Sequence, residues 1–355
     1  MAVTIPAFNC PQMPVVLGSP LRVPHYAWPN WGITCQTAEE SQTLMEASEQ
    51  EYRGEWDTTN PMGHAEIAQA AVQAGLGDAN ALLNTEIGRI ATGVFQVSAL
   101  EPLSVLDLGA GTGGTTMAVS RAWEEIHEIP MKYTLVDPAA QALRAAEQNL
   151  STRFHGHLHA SFFTQTDHQF LKSTPPATFD LLVAGAAIHH HSDIRPLLAL
   201  CFGALVPGGF AVIGDWHNSM WEHPYRVLQL LETMDWPRKA EDLRLFRRAY
   251  PLANQHIELP LANPDQLANS QIQAFWAAYA RVHRPEVGRF VLLEGHRPVK
   301  KYIEDLSSVG FEVPSKLPGG RDNPTFIIGG SSLLAVTVAI KPTGGHCCRH
   351  GPSGP

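Results

Sequence analysis

Cysteine and charge are both scarce in this chain of 355 residues. An odd number of thiols without regular spacing argues against a disulfide framework. Only 17% of the residues are charged, with no block of one sign, and the net charge of −9 argues against a nucleic-acid partner held mainly through its phosphates. The five cysteines are Cys10, Cys35, Cys201, Cys347 and Cys348.

Long apolar runs are missing as well. Crossing a bilayer takes roughly twenty consecutive apolar residues, and the sequence has no such run. The first residues have no basic start and are interrupted by prolines, unlike a signal peptide. We therefore expect a soluble, cytoplasmic protein with no membrane partner.

Periodicity divides the chain into five segments. Residues 1–100 combine an arm rich in proline and aromatics with predicted helices, the last near Ala79–Val97, and form an N-terminal helical cover. In residues 101–215, strands alternate with helices, which is typical of an open parallel sheet with helices on both faces. We predict a helical, substrate-binding lid at 216–300, the end of the α/β core at 301–342 and a disordered tail at 343–355.

The lid is inserted between the fifth and sixth predicted strands, above the carboxyl ends where ligands bind in such sheets. Val206–Gly209 (VPGG) is predicted as a turn into strand five. Helices are predicted near Thr115–Glu125, Ala139–Leu150, Pro196–Leu205 and Lys301–Ser308. The predicted strands are Ser104–Leu108, Lys132–Val136, Ala160–Thr164, Phe179–Ala184, Phe210–Gly214, Gly310–Val313 and Ser332–Ile340.

The stretch at 105–114, VLDLGAGTGG, has the form of a strand, a glycine turn and a helix start. Glycine permits the backbone angles of such a turn and lets a ligand lie against the main chain. The helix that follows points unpaired N–H groups into the crevice. Dinucleotide enzymes carry similar turns, but the carboxylate of Asp107 would repel a pyrophosphate and suits a ligand with an ammonium and a sulfonium.

This pattern, hydrophobic-Asp-hydrophobic-Gly-x-Gly-x-Gly, resembles the first motif of class I S-adenosylmethionine-dependent methyltransferases. The stretch Phe179–Asp215 resembles the fourth-motif strand, His-rich loop, helix and Pro-Gly-Gly turn of small-molecule members. Together the matches cover Leu103 to Asp215. The resemblance implies a Rossmann-like, mostly parallel, seven-stranded α/β sheet, with S-adenosylmethionine as cofactor and S-adenosylhomocysteine as product. A small-molecule methyl acceptor is the expected partner, a homodimer stays open, and no functional metal is expected.

Cofactor contacts are predicted at the carboxyl ends of the first four strands. Asp137 closes strand two, where a carboxylate can accept two hydrogen bonds from a ribose diol. By resemblance Asp167, in a polar loop after strand three, meets the adenine amine together with His168. The complete predicted set is Asp107, Gly109, Ala110, Gly111, Gly113, Asp137, Pro138, Asp167, His168 and Ala184.

A base is needed if the methyl acceptor must lose a proton, and histidine titrates in the right range. His189 and His190 follow strand four, while Asp215 and His217 follow strand five as a rival set. The alternative is that these histidines only shape the cofactor pocket. We predict methyl transfer to O, N or C of a metabolite, a natural product or a peptide. A cofactor-binding scaffold without catalysis and an NAD(P)-dependent oxidoreductase are the alternatives.

Overall fold

The computed structural model describes residues 79–95, 103–126, 131–154, 159–191, 194–216, 299–327 and 334–343, together with the single positions 232, 240 and 243. The predicted arm, most of the lid and nearly all of the tail lie outside these ranges. Helices are numbered over the described residues: α1 (Ala79–Phe95), α2 (Gly114–Glu124), α3 (Ala140–Phe154), α4 (Asp167–Ser173), α5 (Arg195–Ala204) and α6 (Val299–Ser308), with 3-10 turns at Ile188–His190 and Pro318–Gly320. None of the helices in these ranges is long and apolar enough to cross a membrane.

The strands form one seven-stranded sheet in the order β3-β2-β1-β4-β5-β7-β6. The first five are parallel, β7 runs antiparallel to β5, and β6 runs antiparallel to β7. The predicted Rossmann-like, mostly parallel sheet is confirmed. Its strands are β1 (Ser104–Leu108), β2 (Lys132–Asp137), β3 (His159–Thr164), β4 (Phe179–Gly185), β5 (Leu205–Trp216), β6 (Thr325–Ile327) and β7 (Leu334–Ile340).

The predicted sixth strand at Gly310–Val313 is wrong, because its first two residues cap the end of helix α6. The N–H of Phe311 donates to the carbonyl of Leu306, and the N–H of Gly310, at a φ of 106°, donates to Ser307. These two bonds make a Schellman cap, in which an apolar residue often follows the glycine and packs on the last turn. Only an isolated bridge joins Glu312 to Ile340. The sixth strand is instead β6, at the edge of the sheet.

The predicted turn at Val206–Gly209 lies within strand β5 rather than before it. β5 begins at Leu205, which pairs with Phe179, and the next pair is Leu181 with Phe210. The four residues therefore form a bulge whose Gly208 has a φ of 81°. A Pro-Gly-Gly sequence reads locally as a turn, whereas pairing with the neighbouring strand decides where β5 starts.

Helix α1 packs closely on the sheet because glycines make room for it. Gly185 and Gly214 are register partners in β4 and β5. A Cβ at Gly214 would lie 2.6 Å from Cδ1 of Ile87. On the neighbouring helix α2, the carbonyl oxygen of Ala118 lies 2.5 Å from where a Cβ of Gly88 would be. Helices α4, α5 and α6 contribute to a separate apolar cluster that includes Phe170, Leu198 and Leu306 together with residues of β1, β2, β4, β5 and β7.

The approach of α1 to α2 gives a test of the fold by two identical substitutions on one helix. We expect Gly88→Ala to lower the free energy of unfolding by about 1–3 kcal/mol, because the new methyl group overlaps the backbone of Ala118. Gly93→Ala is the control: no described atom lies within 4 Å of its Cβ position. It should raise the free energy of unfolding by about 0.5–1 kcal/mol. Urea denaturation measures both, and equal effects would contradict the close packing.

Candidate active site

The turn after β1 is built from three glycines with positive φ angles. They are Gly109, Gly111 and Gly113, with φ of 61°, 52° and 83°. A Cβ at Gly109 would lie 2.4 Å from the Cβ of Ala187, in the loop after β4, so this position must be glycine. At Gly111 no atom of the described residues lies within 4 Å of the Cβ position. Ala110 donates its N–H to the carbonyl of Val136 at 3.1 Å, which holds the turn against β2.

Asp107 lies completely buried at the end of β1, beside this turn. Its Oδ2 accepts hydrogen bonds from the backbone N–H of Thr116 at 3.1 Å and from the Thr116 hydroxyl at 2.6 Å. Its Oδ1 is buried and has no hydrogen-bond partner among the residues described. Burial raises the pKa of Asp107 to about 7, against the opposing effect of the two bonds from Thr116. The carboxyl group is therefore poised to ionise when a cation approaches.

Asp137 links the glycine turn after β1 to the start of helix α3 through its two carboxylate oxygens. Oδ2 accepts the N–H of Gly111 at 2.9 Å, and Oδ1 accepts the N–H of Ala139 at 2.8 Å, just before helix α3. Pro138, between the two bonded segments, is buried. A carboxylate oxygen can accept more than one hydrogen bond, as the predicted ribose contact requires. The predicted ribose contact stays a prediction.

Asp167 follows β3 as predicted, although it lies in a helix rather than a loop, and its contact with the adenine amine stays a prediction. It is the first residue of α4 and is buried, behind a capping box in which the side chains of Thr166 and Gln169 bond each other's backbone N–H. An acid is favourable there because it faces the positive end of the helix. Its Oδ2 lies 3.3 Å from Nε2 of His191, and its Oδ1 has no partner within the described part of the chain. His168 is also buried, with its ring 5.8 Å from that of His191.

The buried carboxyl groups of Asp137 and Asp167 affect the pKa of Asp107. Negative charge on Asp137 and on Asp167 raises the pKa of Asp107 further, after the larger effect of burial. A pyrophosphate would add negative charge to this group, whereas a cationic ligand would relieve the repulsion. The two buried oxygens without a described partner, on Asp107 and Asp167, fit a ligand that carries positive charge or several N–H donors.

His189 and Asp215 form a buried pair where β4 and β5 end. Nδ1 of His189 lies 2.7 Å from Oδ1 of Asp215, and the backbone N–H of His189 donates to Oδ2 at 2.8 Å. The hydroxyl of Tyr302, in α6, donates to the same Oδ2 at 2.9 Å. All three residues are less than 5% exposed. Two of the predicted catalytic residues are thus in direct contact.

The remaining predicted residues are placed as follows. Ala184 is completely buried in β4, between Leu108 of β1 and Ile213 of β5 in register. The side chain of His190 and the whole of His217 lie outside the described residues. Sequence reasoning missed the roles of Thr116 and Tyr302. Thr116 could have been found from its place in the first turn of α2, but no local signal links Tyr302 to Asp215.

A small cavity lies behind the His189–Asp215 pair. Its volume of about 10 Å³ has room for one water molecule at most, so it is not a substrate pocket. Its lining is mostly apolar and consists of Ile213, Asp215, Val299, Tyr302, Leu306, Ala335 and Thr337.

Comparison with known proteins agrees with this geometry. A family model described as a methyltransferase domain matches residues 106–211. An uncharacterized methyltransferase of Mycobacterium tuberculosis is 33% identical over 138 residues, which cover 35% of this chain and 63% of that protein. The non-reducing polyketide synthase SAT8 of Stachybotrys chartarum is 27% identical over 124 residues, which cover 34% of this chain and 4% of the synthase. The chain therefore spans less than two thirds of each of these relatives.

Among solved structures, the plantazolicin methyltransferase BpumL in complex with a triazolic desmethylPZN analog and SAH covers 86% of this chain and 99% of its own, at 11% identity and a TM-score of 0.47.

The sheet order and the glycine turn at the end of β1 define a Rossmann-like fold. Sheets of this kind bind nucleoside-type ligands at their carboxyl edge. Together with the family match, they identify residues 106–211 as a class I S-adenosylmethionine-dependent methyltransferase segment. S-adenosylmethionine is its cofactor. The buried carboxyl oxygens of Asp107 and Asp167 without described partners fit this cation.

Replacement of Asp107 by asparagine should separate stability from cofactor binding. Because the pKa is raised from 3.8 to about 7, the wild-type protein without ligand loses stability as the pH rises from the lower to the higher of these values. The neutral asparagine does not titrate. We expect Asp107→Asn to gain about 1–3 kcal/mol in unfolding free energy relative to wild type between pH 5 and pH 8.5. Urea denaturation at the two pH values measures this gain.

The same variant should bind S-adenosylmethionine more weakly, by about tenfold or more, because a charged partner of the cation is lost. Calorimetric titration measures the affinity. Unchanged affinity together with pH-independent relative stability would remove Asp107 from the site.

Proposed function

We propose that this chain methylates an acidic carbon or a hydroxyl group of a small-molecule natural product of the polyketide class. The observation that carries the proposal is the buried pair of His189 and Asp215, whose side chains meet at 2.7 Å. The pair adjoins the glycine turn after β1, because Ala187, two residues before His189, packs against Gly109. The proposed base would therefore lie next to the site at which the methyl donor binds.

The pair supplies a base with a fixed orientation. With Asp215 as a carboxylate, Nδ1 of His189 carries the hydrogen of the shared bond, and Nε2 is the nitrogen that accepts a proton. The carboxylate stabilises the imidazolium that forms when the methyl acceptor gives up its proton. When bound, S-adenosylmethionine supplies a methyl group on a sulfonium, and its transfer leaves neutral S-adenosylhomocysteine. Burial of both side chains keeps water away from the proton transfer.

The relatives support a natural-product acceptor. Segments of three non-reducing polyketide synthases match this chain with sequence identities of 27% to 30%. The matched residues make up 27% to 38% of this chain. Polyketide intermediates contain carbon atoms that lie between two carbonyl groups. The protons on these carbon atoms are acidic enough for a histidine base to remove. An aromatic hydroxyl of the same class of molecule offers a proton of similar acidity. The acceptor pocket is proposed to lie in the predicted lid and N-terminal cover.

The experiment measures transfer of labelled methyl from S-adenosylmethionine to two probes, the N-acetylcysteamine thioester of acetoacetate and resorcinol. We expect His189→Gln and Asp215→Asn each to lower kcat by about 100- to 10,000-fold, because the base is lost or misoriented. Affinity for S-adenosylhomocysteine, measured by calorimetry, should stay close to that of the wild type. His159→Gln is the matched control, because His159 is exposed on β3.

Normal turnover by His189→Gln would clear that residue of the base role. If the wild type binds S-adenosylhomocysteine but transfers labelled methyl to neither probe, the proposed acceptor class is contradicted. If it also transfers no labelled methyl to any fraction of an extract of the source cell, a cofactor-binding scaffold is favoured. Preference for NAD over S-adenosylhomocysteine would favour the oxidoreductase alternative.

A further inference from the structure

Three separate parts of the chain meet at the Asp215 carboxylate. The 3-10 turn after β4 contributes His189, strand β5 contributes Asp215 itself, and helix α6 contributes Tyr302. Oδ2 of Asp215 accepts two hydrogen bonds, from the backbone N–H of His189 at 2.8 Å and from the Tyr302 hydroxyl at 2.9 Å. The other oxygen, Oδ1, faces the imidazole ring of His189.

We propose that Tyr302 is a positioning residue that fixes the Asp215 carboxylate, and through it the tautomer and orientation of His189. This rests on the proposed role of His189 as base. The terminal torsion of an aspartate side chain is broad, and without Tyr302 only the two bonds from His189 itself would hold the carboxylate. The hydroxyl of Tyr302 approaches Oδ2 from a different element than His189 does. The two donors together set the carboxylate plane so that Oδ1 stays aligned with Nδ1 of His189.

The surroundings of Tyr302 make the hydroxyl separable from the rest of the side chain. Its ring is buried in the same apolar cluster as Leu306 and Phe311. On the same helix, the charged groups of Lys301 and Asp305 form a buried ion pair with each other. Removing the hydroxyl alone therefore leaves the packing of α6 in place and deletes the bond to Asp215.

The test replaces Tyr302 by phenylalanine and observes the imidazole nitrogens of His189 by ¹⁵N NMR, with His189→Gln used to assign the signals. We expect the wild type to show one tautomer with the hydrogen on Nδ1, and Tyr302→Phe to shift these signals toward a mixture of tautomers. On a probe that the wild type methylates, kcat should fall by about tenfold, as for one lost hydrogen bond. KM and the affinity for S-adenosylhomocysteine should not change.

Tyr133→Phe is the matched control. Tyr133 is equally buried, in β2, and its hydroxyl donates to Sδ of Met131 at 2.8 Å rather than to Asp215. It should leave the His189 signals unchanged. A second variant carries 3-fluorotyrosine at position 302, which keeps the bond but makes the hydroxyl a stronger donor, and it should also shift the His189 signals.

Unchanged His189 signals in both position-302 variants would overturn the proposal, and so would an equal shift in Tyr133→Phe. The NMR readout does not depend on turnover. If His189→Gln keeps full activity, the base assignment fails by itself, while the signals still decide whether Tyr302 positions His189.

Discussion

Buried carboxyl groups organise the carboxyl edge of this sheet. Asp107, Asp137 and Asp215 are each at most 3% exposed, and each accepts at least one hydrogen bond from a backbone N–H of a neighbouring segment. Burying a carboxylate without such donors would cost several kcal/mol. The segments that follow the strands must therefore turn so that their N–H groups point at these side chains. The acids fix the loop conformations as much as they prepare for a ligand.

The acidic side chains at this edge of the sheet fall into two groups, which differ in how many of their carboxylate oxygens have hydrogen-bond partners. Among the predicted cofactor contacts, Asp107 and Asp167 each keep one buried oxygen without a partner in the described ranges. On the other side, both oxygens of Asp215 are engaged, by His189 and Tyr302. The first arrangement is costly until a cation arrives, whereas the second is complete within the protein. A methyl donor would complete the first group, and the proposed base lies in the second.

Local patterns predicted much of this from sequence. The strand and glycine turn at 104–113 depend on nearby residues alone, and β1 has the predicted bounds. The errors arise where a short pattern has two structural meanings. The apolar residue after Gly310 caps a helix instead of starting a strand. Asp167 follows Thr166 in a capping box that the sequence also contains. Tyr302 was unpredictable because 87 residues separate it from Asp215.

The spacing of His189 and Asp215 follows from the parallel pairing of β4 and β5. Gly185 and Gly214 are the last register partners of that pair, so the residues just beyond them lie side by side. The chain then turns sharply, with Ala186 at a φ of 52° and its N–H bonded to the carbonyl of Gly214. A positive φ is unfavourable for alanine. The two bonds from His189 to Asp215 hold the turn in this conformation, so the contact on which the proposed base depends also stabilises the loop that carries His189.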